Sequence, residues 1–95
     1  MTDNEFNEKY KQYIPERWYG LEFDFPEVTE MLDIEIDAII KLYPKFEIHQ
    51  IKLKFGSARF YTNINELANT NFEMIIEGKI NELVRDYHKK KTNEL

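Results

Sequence analysis

The chain contains no cysteine and only three glycines and three prolines. The lack of cysteine excludes disulfide frameworks, thiol catalysis and cysteine-ligated zinc or iron–sulfur sites. Scarce glycine and proline, with 42% hydrophobic and 33% charged residues, indicate a globular domain rather than a disordered segment. No apolar run is long enough to cross a bilayer, and the polar first ten residues do not resemble a signal peptide. We therefore expect a single cytoplasmic domain spanning residues 1–95.

The charge is acidic overall but unevenly distributed. The formal net charge is −5, and the stretch from Asp24 to Asp37 contains six acids and no base. Net acidity argues against general nucleic-acid binding, because neutralising phosphates requires a basic surface. It is compatible with a basic partner, or with a local basic site on an acidic body.

Apolar residues at three- and four-residue spacing predict three helices. They cover about 3–13, 26–43 and 70–89, and a short helical turn is expected within 63–69. Asp24 is the expected N-cap of the second helix, because Pro26 suits a first turn. Thr70 and Glu73 have the spacing of a capping box at the start of the third helix.

A β-hairpin is predicted around Gly56-Ser57. Strands at 46–55 and 58–62 flank this pair, and glycine at the first central position is typical of a two-residue type II′ turn. That turn places Phe55 opposite Ala58. The hydrophobic alternation changes phase before the hairpin, which predicts a bulge near His49-Gln50.

These elements predict an α+β fold. A small antiparallel sheet is built on the hairpin, with a further strand at 20–25, and an N-terminal helix precedes it. The helices at 26–43 and 70–89 are expected to pack on the apolar sheet face, which consists of Ile51, Leu53, Phe55 and Phe60. A homodimer is also expected, because an exposed strand edge or aromatic patch would otherwise be uncovered.

The opposite sheet face carries the candidate binding residues Lys52, Lys54, Arg59 and Tyr61. Arg59 offers a planar fork to phosphate or carboxylate, and Tyr61 adds a stacking surface and a hydroxyl. A phosphorylated small ligand or an acidic protein partner would suit this face. Two other interpretations remain open, in which the long side chains extend into solvent or pair with acids of the second helix.

An alternative binding surface is the acidic face of the second helix, formed by Glu27, Glu30, Asp33 and Asp37. A row of carboxylates can bind a basic protein, as in an immunity or antitoxin-like protein. A solvated helix face with no partner gives the same pattern.

The sequence indicates a protein that is not an enzyme. His49 and His88 stand apart from metal-binding spacings, so we expect neither a metal nor a cofactor. Ser57 has no sequence sign of a neighbouring base. An enzyme would need a titratable pair, and only His49 with a nearby acid could supply one. Trp18 and Tyr19 resemble an interface hot spot, but packing in the core of a small domain is the favoured explanation.

The segment from Gln50 to Tyr61 resembles a motif of small uncharacterised bacterial and phage proteins. The shared pattern is K-x-K-F-G-x-x-R-F-Y, and the helix ending at Tyr43-Pro44 is also similar. The family has no established activity, so the resemblance implies a context rather than a site. That context is a phage or mobile-element inhibitor of a bacterial defence system, which blocks a defence protein or sequesters a ligand without catalysis.

Overall fold

A computed structural model describes residues 1–93, with side chains described through residue 91. The elements within that range are α1 (Asp3–Lys9), a 3-10 turn (Lys11–Tyr13), β1 (Gly20–Glu22), α2 (Pro26–Leu42), β2 (Ile48–Lys54), β3 (Ser57–Thr62), α3 (Ile64–Leu67) and α4 (Phe72–Asn93). The predicted α+β arrangement with an N-terminal helix is confirmed. The helical turn expected within 63–69 is also present, as α3.

The sheet is mixed, and the prediction of an antiparallel sheet was wrong in that respect. Its strand order is β1-β2-β3. β2 and β3 form the antiparallel hairpin, whereas β1 pairs with β2 in parallel, with Leu21 beside Ile51. The reason is that α2 connects β1 to β2. A helical crossover returns the chain to the starting end of the sheet, so the next strand runs in the same direction.

α2 begins at Pro26, as predicted, but Asp24 does not cap it. Phe25 occupies the N-cap position without a side-chain hydrogen bond. Asp24 has a positive φ of 56°, and its backbone N–H donates to Asp3 Oδ2 at 2.7 Å. The turn into α2 is therefore held by a carboxylate of α1, which local sequence spacing cannot reveal.

The predicted capping box of α4 was also wrong. The helix begins at Phe72, whose N–H donates to Thr70 Oγ1 at 3.0 Å. The carboxylate of Glu73 instead accepts hydrogen bonds from the backbone and the hydroxyl of Thr62, at 2.7 and 3.0 Å. Glu73 therefore fastens α4 to β3 rather than closing its own helix.

Both edges of the sheet are closed by side chains of helices. On β1, the amide of Asn7 donates to Leu21 O at 3.0 Å and accepts from Leu21 N–H at 2.8 Å. On β3, side chains of α4 accept from alternate backbone N–H groups. An exposed strand edge was one of two premises for the expected homodimer, and these contacts remove it. Homodimerisation itself stays a prediction.

The core lies between the helices and the sheet face that carries Ile51 and Phe60. Ile51 and Phe60 pair across the hairpin and are both buried. The buried hydrophobic residues of the helices and of the turn after α1 pack against them, and these are Phe6, Tyr10, Val28, Leu32, Ile36, Ile39, Ile64, Ile76 and Ile80. The core thus covers one side of the sheet and leaves the side with Lys52 and Arg59 outside it.

Candidate binding face on the hairpin

The hairpin turn lies one residue earlier than predicted. Lys54 pairs with Ser57, so the two central residues are Phe55 and Gly56. Their φ angles are 53° and 75°, and positive φ at both central positions is the requirement of a type I′ turn. The sequence prediction used Gly56-Ser57 because glycine is the usual first residue of a type II′ turn. Here glycine is the second residue, and Phe55 adopts the left-handed conformation before it.

The candidate residues nevertheless lie on one sheet face, as predicted. Moving the turn by one residue shifts the pairing by two, and a shift of two preserves which side chains share a face. Lys52 is opposite Arg59, and Gln50 is opposite Tyr61. Lys52 and Arg59 are half-buried, whereas Lys54 and Tyr61 are exposed.

Arg59 is held close to β3 by neutral acceptors. Its Nη1 donates to Ser57 Oγ at 3.2 Å and to the carbonyl oxygen of Ala58 at 3.3 Å. Neither acceptor balances the guanidinium charge. Because Lys52 is its direct cross-strand neighbour, two cations oppose each other on this face, which costs roughly a few tenths of a kcal/mol.

Among the residues with described side chains, no acid forms an ion pair with a cation of this face. Glu22 is level with Lys52 in the parallel pair, but its Oε1 accepts from Gln50 Nε2 at 3.0 Å. Among residues 1–91, the ion pairs within 4.0 Å involve other cations than Lys52, Lys54 and Arg59. Of the interpretations left open by the sequence, pairing with acids of α2 therefore has no support in these contacts.

The alternative acidic surface is partly occupied by contacts within the chain. Asp33 accepts from Lys9 Nζ at 2.8 Å and from the hydroxyl of Tyr10. Burial acts to raise the pKa of Asp33, but these two hydrogen bonds outweigh it and hold the pKa below its ordinary value. Burial and the neighbouring carboxylate raise the pKa of the Tyr10 hydroxyl. Asp33 therefore fastens α2 to α1.

Two further members of the acidic face also have partners. Glu30 lies 2.9 Å from the amino group of Met1, and Asp37 lies 3.0 Å from Lys41 Nζ one helical turn along. Glu27 is exposed at the first turn of α2. The acidic face is thus less available to an outside cation than its composition suggests.

The predicted bulge is present, and it holds a stacked pair of rings. The register of β2 shifts between Ile48 and Gln50. His49 stacks on Trp18 with ring centroids 4.5 Å apart and an interplanar angle of 12°. His49 Nε2 also lies 3.2 Å from Glu47 Oε1. Trp18 is therefore half-buried against the bulge without joining the core, and Tyr19 beside it is 66% exposed. The core interpretation of this pair is wrong.

Phe55 is the residue that the sequence prediction misplaced most. The alternation predicts Phe55 on the core face opposite Ala58, but Phe55 occupies the tip of the hairpin and is 94% exposed. The signal that could have located it is the Phe-Gly pair itself, because a type I′ turn also ends in glycine. Leu53 lies two residues before Phe55 and pairs with Ala58 on the core side of the sheet, but it is 44% exposed because it is close to the tip.

Three further observations bear on the kind of site. No helix among the described residues has the length and apolar character needed to span a bilayer. Within the same residues, no three His, Asp or Glu side chains converge as metal ligands would. Comparison with protein-family models, with curated proteins and with solved structures finds no match to this chain.

Proposed function

We propose that this chain is a non-catalytic binding protein that engages an anionic partner through the basic hairpin face, defined as Lys52, Lys54, Arg59 and Tyr61. One observation carries the proposal. Lys52 and Arg59 oppose each other across the strands, and no described carboxylate is paired with either of them. A bound anion turns this repulsion into two attractive contacts, and a guanidinium with free donors can bind carboxylate or phosphate bidentately.

The biological role we propose is inhibition of a bacterial defence system by a phage or mobile-element protein in the host cytoplasm. The support is the resemblance of the hairpin segment, Lys52–Tyr61, to small phage and bacterial proteins. The basic hairpin face falls within that segment. Inhibition would follow from occupation of a defence protein's surface or from sequestration of a phosphorylated ligand.

The acidic face of α2 supports an alternative, an immunity or antitoxin-like protein that binds a basic partner. Its support is weaker, because Asp33 and Asp37 already contact Lys9 and Lys41 within the chain. The two functions differ in the sign of the partner's charge, so one experiment can separate them.

In that experiment, the isotope-labelled protein is titrated separately with pyrophosphate, a hexaglutamate peptide and a hexalysine peptide. Binding is monitored by the chemical shifts of the backbone amides in NMR spectra. We expect one of the two anions to perturb Lys52, Lys54, Arg59 and Tyr61, with an effect that weakens as salt is raised. Arg59→Glu should abolish it. Arg85→Glu is the matched control, because it changes the net charge equally at an exposed position of α4.

The outcomes decide between the two functions. The proposal is contradicted if the shifts of the hairpin residues persist in Arg59→Glu. It is also contradicted if neither anion shifts those residues in the wild type. Shifts confined to α2 on adding hexalysine, lost when Glu27, Glu30 and Asp37 are neutralised, support the alternative. Asp33 is left intact in that variant because it holds α1 to α2.

A further inference from the structure

The tip of the hairpin presents an aromatic side chain to solvent in a conformation that phenylalanine rarely adopts. Phe55 is 94% exposed, and its φ is 53°. A Cβ at the neighbouring Gly56 would meet no atom within 4 Å, so the space around that residue of the tip is open. The ring contributes little to the core, because almost none of its surface is buried.

Both properties act against the folded state of the isolated chain. The left-handed conformation is disfavoured for residues with a bulky side chain, and Asn, Asp or Gly usually fill this position of a type I′ turn. An exposed ring also forgoes the stabilisation that burial would supply. Strained and exposed residues of this kind are concentrated at binding sites, where the partner supplies the missing contacts.

Cations lie beside the tip and behind it on the same sheet face. Lys54 Nζ lies 5.8 Å from the centroid of the Phe55 ring. Lys52 and Arg59 follow on the same face, two residues behind Lys54 along the hairpin. An aromatic anchor next to cations fits a surface that offers an apolar pocket bordered by carboxylates.

The shape of the face favours a protein over a small ligand. Small-ligand sites are concave, and they bury most of the ligand. Lys54 is exposed on the same sheet face as the half-buried Lys52 and Arg59, beside a tip whose Phe55 is 94% exposed. An exposed aromatic tip can insert into a partner's pocket, whereas it encloses little of a nucleotide.

We infer that Phe55 is the anchor of a protein-docking surface, and that its partner is a protein with an apolar pocket rimmed by carboxylates. The inference rests on the proposed function, because the same cations border the anchor. It adds the class of partner and the residue that contributes most to affinity. The inference is contradicted if the partner at Phe55 proves to be a small phosphorylated ligand or a second copy of this chain.

The partner can be trapped through the anchor itself. A photo-crosslinking amino acid, p-benzoylphenylalanine, is placed at position 55, and the protein is irradiated in cells of the organism that naturally expresses it. The control carries the same amino acid at position 34, because Ile34 is also an exposed apolar residue, 71% exposed on α2. We expect a discrete protein adduct from position 55 alone, mapped to an apolar pocket with carboxylates around it.

Affinity is then measured with that purified protein. Phe55→Asn should weaken binding by about 30-fold or more, as expected for an interface hot spot. Asparagine tolerates the left-handed conformation, so this variant should unfold at the same or a higher denaturant concentration than the wild type. Ile34→Gln removes exposed apolar surface elsewhere and should leave binding unchanged.

The results separate this inference from the proposed function. If Arg59→Glu abolishes binding but Phe55→Asn does not, the basic hairpin face is the binding site and the inference that Phe55 anchors the partner is wrong. An adduct that is absent, or formed only with a second copy of the chain, contradicts the inference. Binding that survives both substitutions contradicts both proposals.

Discussion

Glu77 Oε2 accepts a hydrogen bond from the backbone N–H of Phe60 at 2.9 Å, and this contact closes the outer edge of β3. It is the middle step of a ladder in which Glu73 accepts from Thr62 and Asn81 from Ala58. Residues four apart on a helix rise about 6 Å, and alternate residues of a strand advance about 6.6 Å. The two repeats match closely enough for three consecutive contacts.

Removing one acceptor from this ladder should destabilise the fold. Glu77→Ala leaves the N–H of Phe60 without its partner beneath the helix, and we expect a loss of about 1–3 kcal/mol in the free energy of unfolding. Glu77→Gln is the matched variant, because its side-chain carbonyl oxygen can accept the same hydrogen bond. Urea denaturation measures both. Equal losses in the two variants would show that the carboxylate charge, rather than the hydrogen bond, is what matters.

Charge reversal at Arg59 should separate binding from stability. Arg59→Glu places an acid directly opposite Lys52, so a repulsive cross-strand pair becomes attractive. We expect the free energy of unfolding to stay unchanged or rise by roughly a few tenths of a kcal/mol, while anion binding is lost. Urea denaturation checks the first expectation, and the peptide titration checks the second. A large loss of stability would mean that the contacts of Arg59 with Ser57 and Ala58 are structural.

The contact of Asp33 with Lys9 and Tyr10 should make stability depend on pH in the acid range. The pKa of Asp33 is held below its ordinary value of 3.8 in the folded chain. A lowered folded-state pKa contributes stability above the unfolded value, and this contribution is lost as the pH falls through the folded value.

Asp33→Asn should therefore reduce stability at pH 7 and have progressively less effect below about pH 4. Thermal unfolding of the two proteins across that range measures the difference. Asp37→Asn is the control, because the ion pair of Asp37 is with the exposed Lys41 on its own helix. A difference between wild type and Asp33→Asn that stays constant with pH would contradict the lowered pKa.

Two glycines should respond to alanine in opposite directions. Gly78 lies inside α4, and a Cβ added there would meet no atom of another element within 4 Å. Gly78→Ala should therefore stabilise the chain by about 0.5–1 kcal/mol. Gly20 has a φ of 68°, and a Cβ there would lie 2.5 Å from Asn7 Oδ1.

Gly20→Ala should instead destabilise the chain, because it strains the backbone and displaces the Asn7 side chain that closes the edge of β1. Denaturation of the two alanine variants side by side provides the measurement. A stable Gly20→Ala protein would mean that Asn7 can move without loss of the β1 contacts.

Much of the fold could be predicted from local patterns. The helical periodicity of Val28, Leu32, Ile36 and Ile39 predicted α2 and its buried face, because burial follows the helical repeat directly. The phase change before Ile51 predicted the bulge at His49. The basic hairpin face also survived an error in the turn, because side-chain alternation does not change when the register moves by two residues.

Other features depended on contacts between residues distant in the chain. Glu73 has the spacing of a capping-box residue, yet it bonds to Thr62 because β3 presents a donor within its reach. Asp24 lost its expected capping role because Asp3 of α1 holds its backbone. Local spacing describes what a side chain could do, and packing decides between several partners of similar energy.

The sequence by itself determined the class of fold, the helices and the grouping of Lys52, Lys54, Arg59 and Tyr61, since these follow from periodicity along one segment. Only the tertiary structure decided the parallel pairing of β1 with β2, the hydrogen bonds that close both sheet edges, and which charges of the candidate surfaces have partners within the chain. It paired Asp33 with Lys9 and left the cations of the hairpin without a described acidic partner. The physical reason is that each of these outcomes depends on distances between elements far apart in sequence, and those distances exist only once the core has packed.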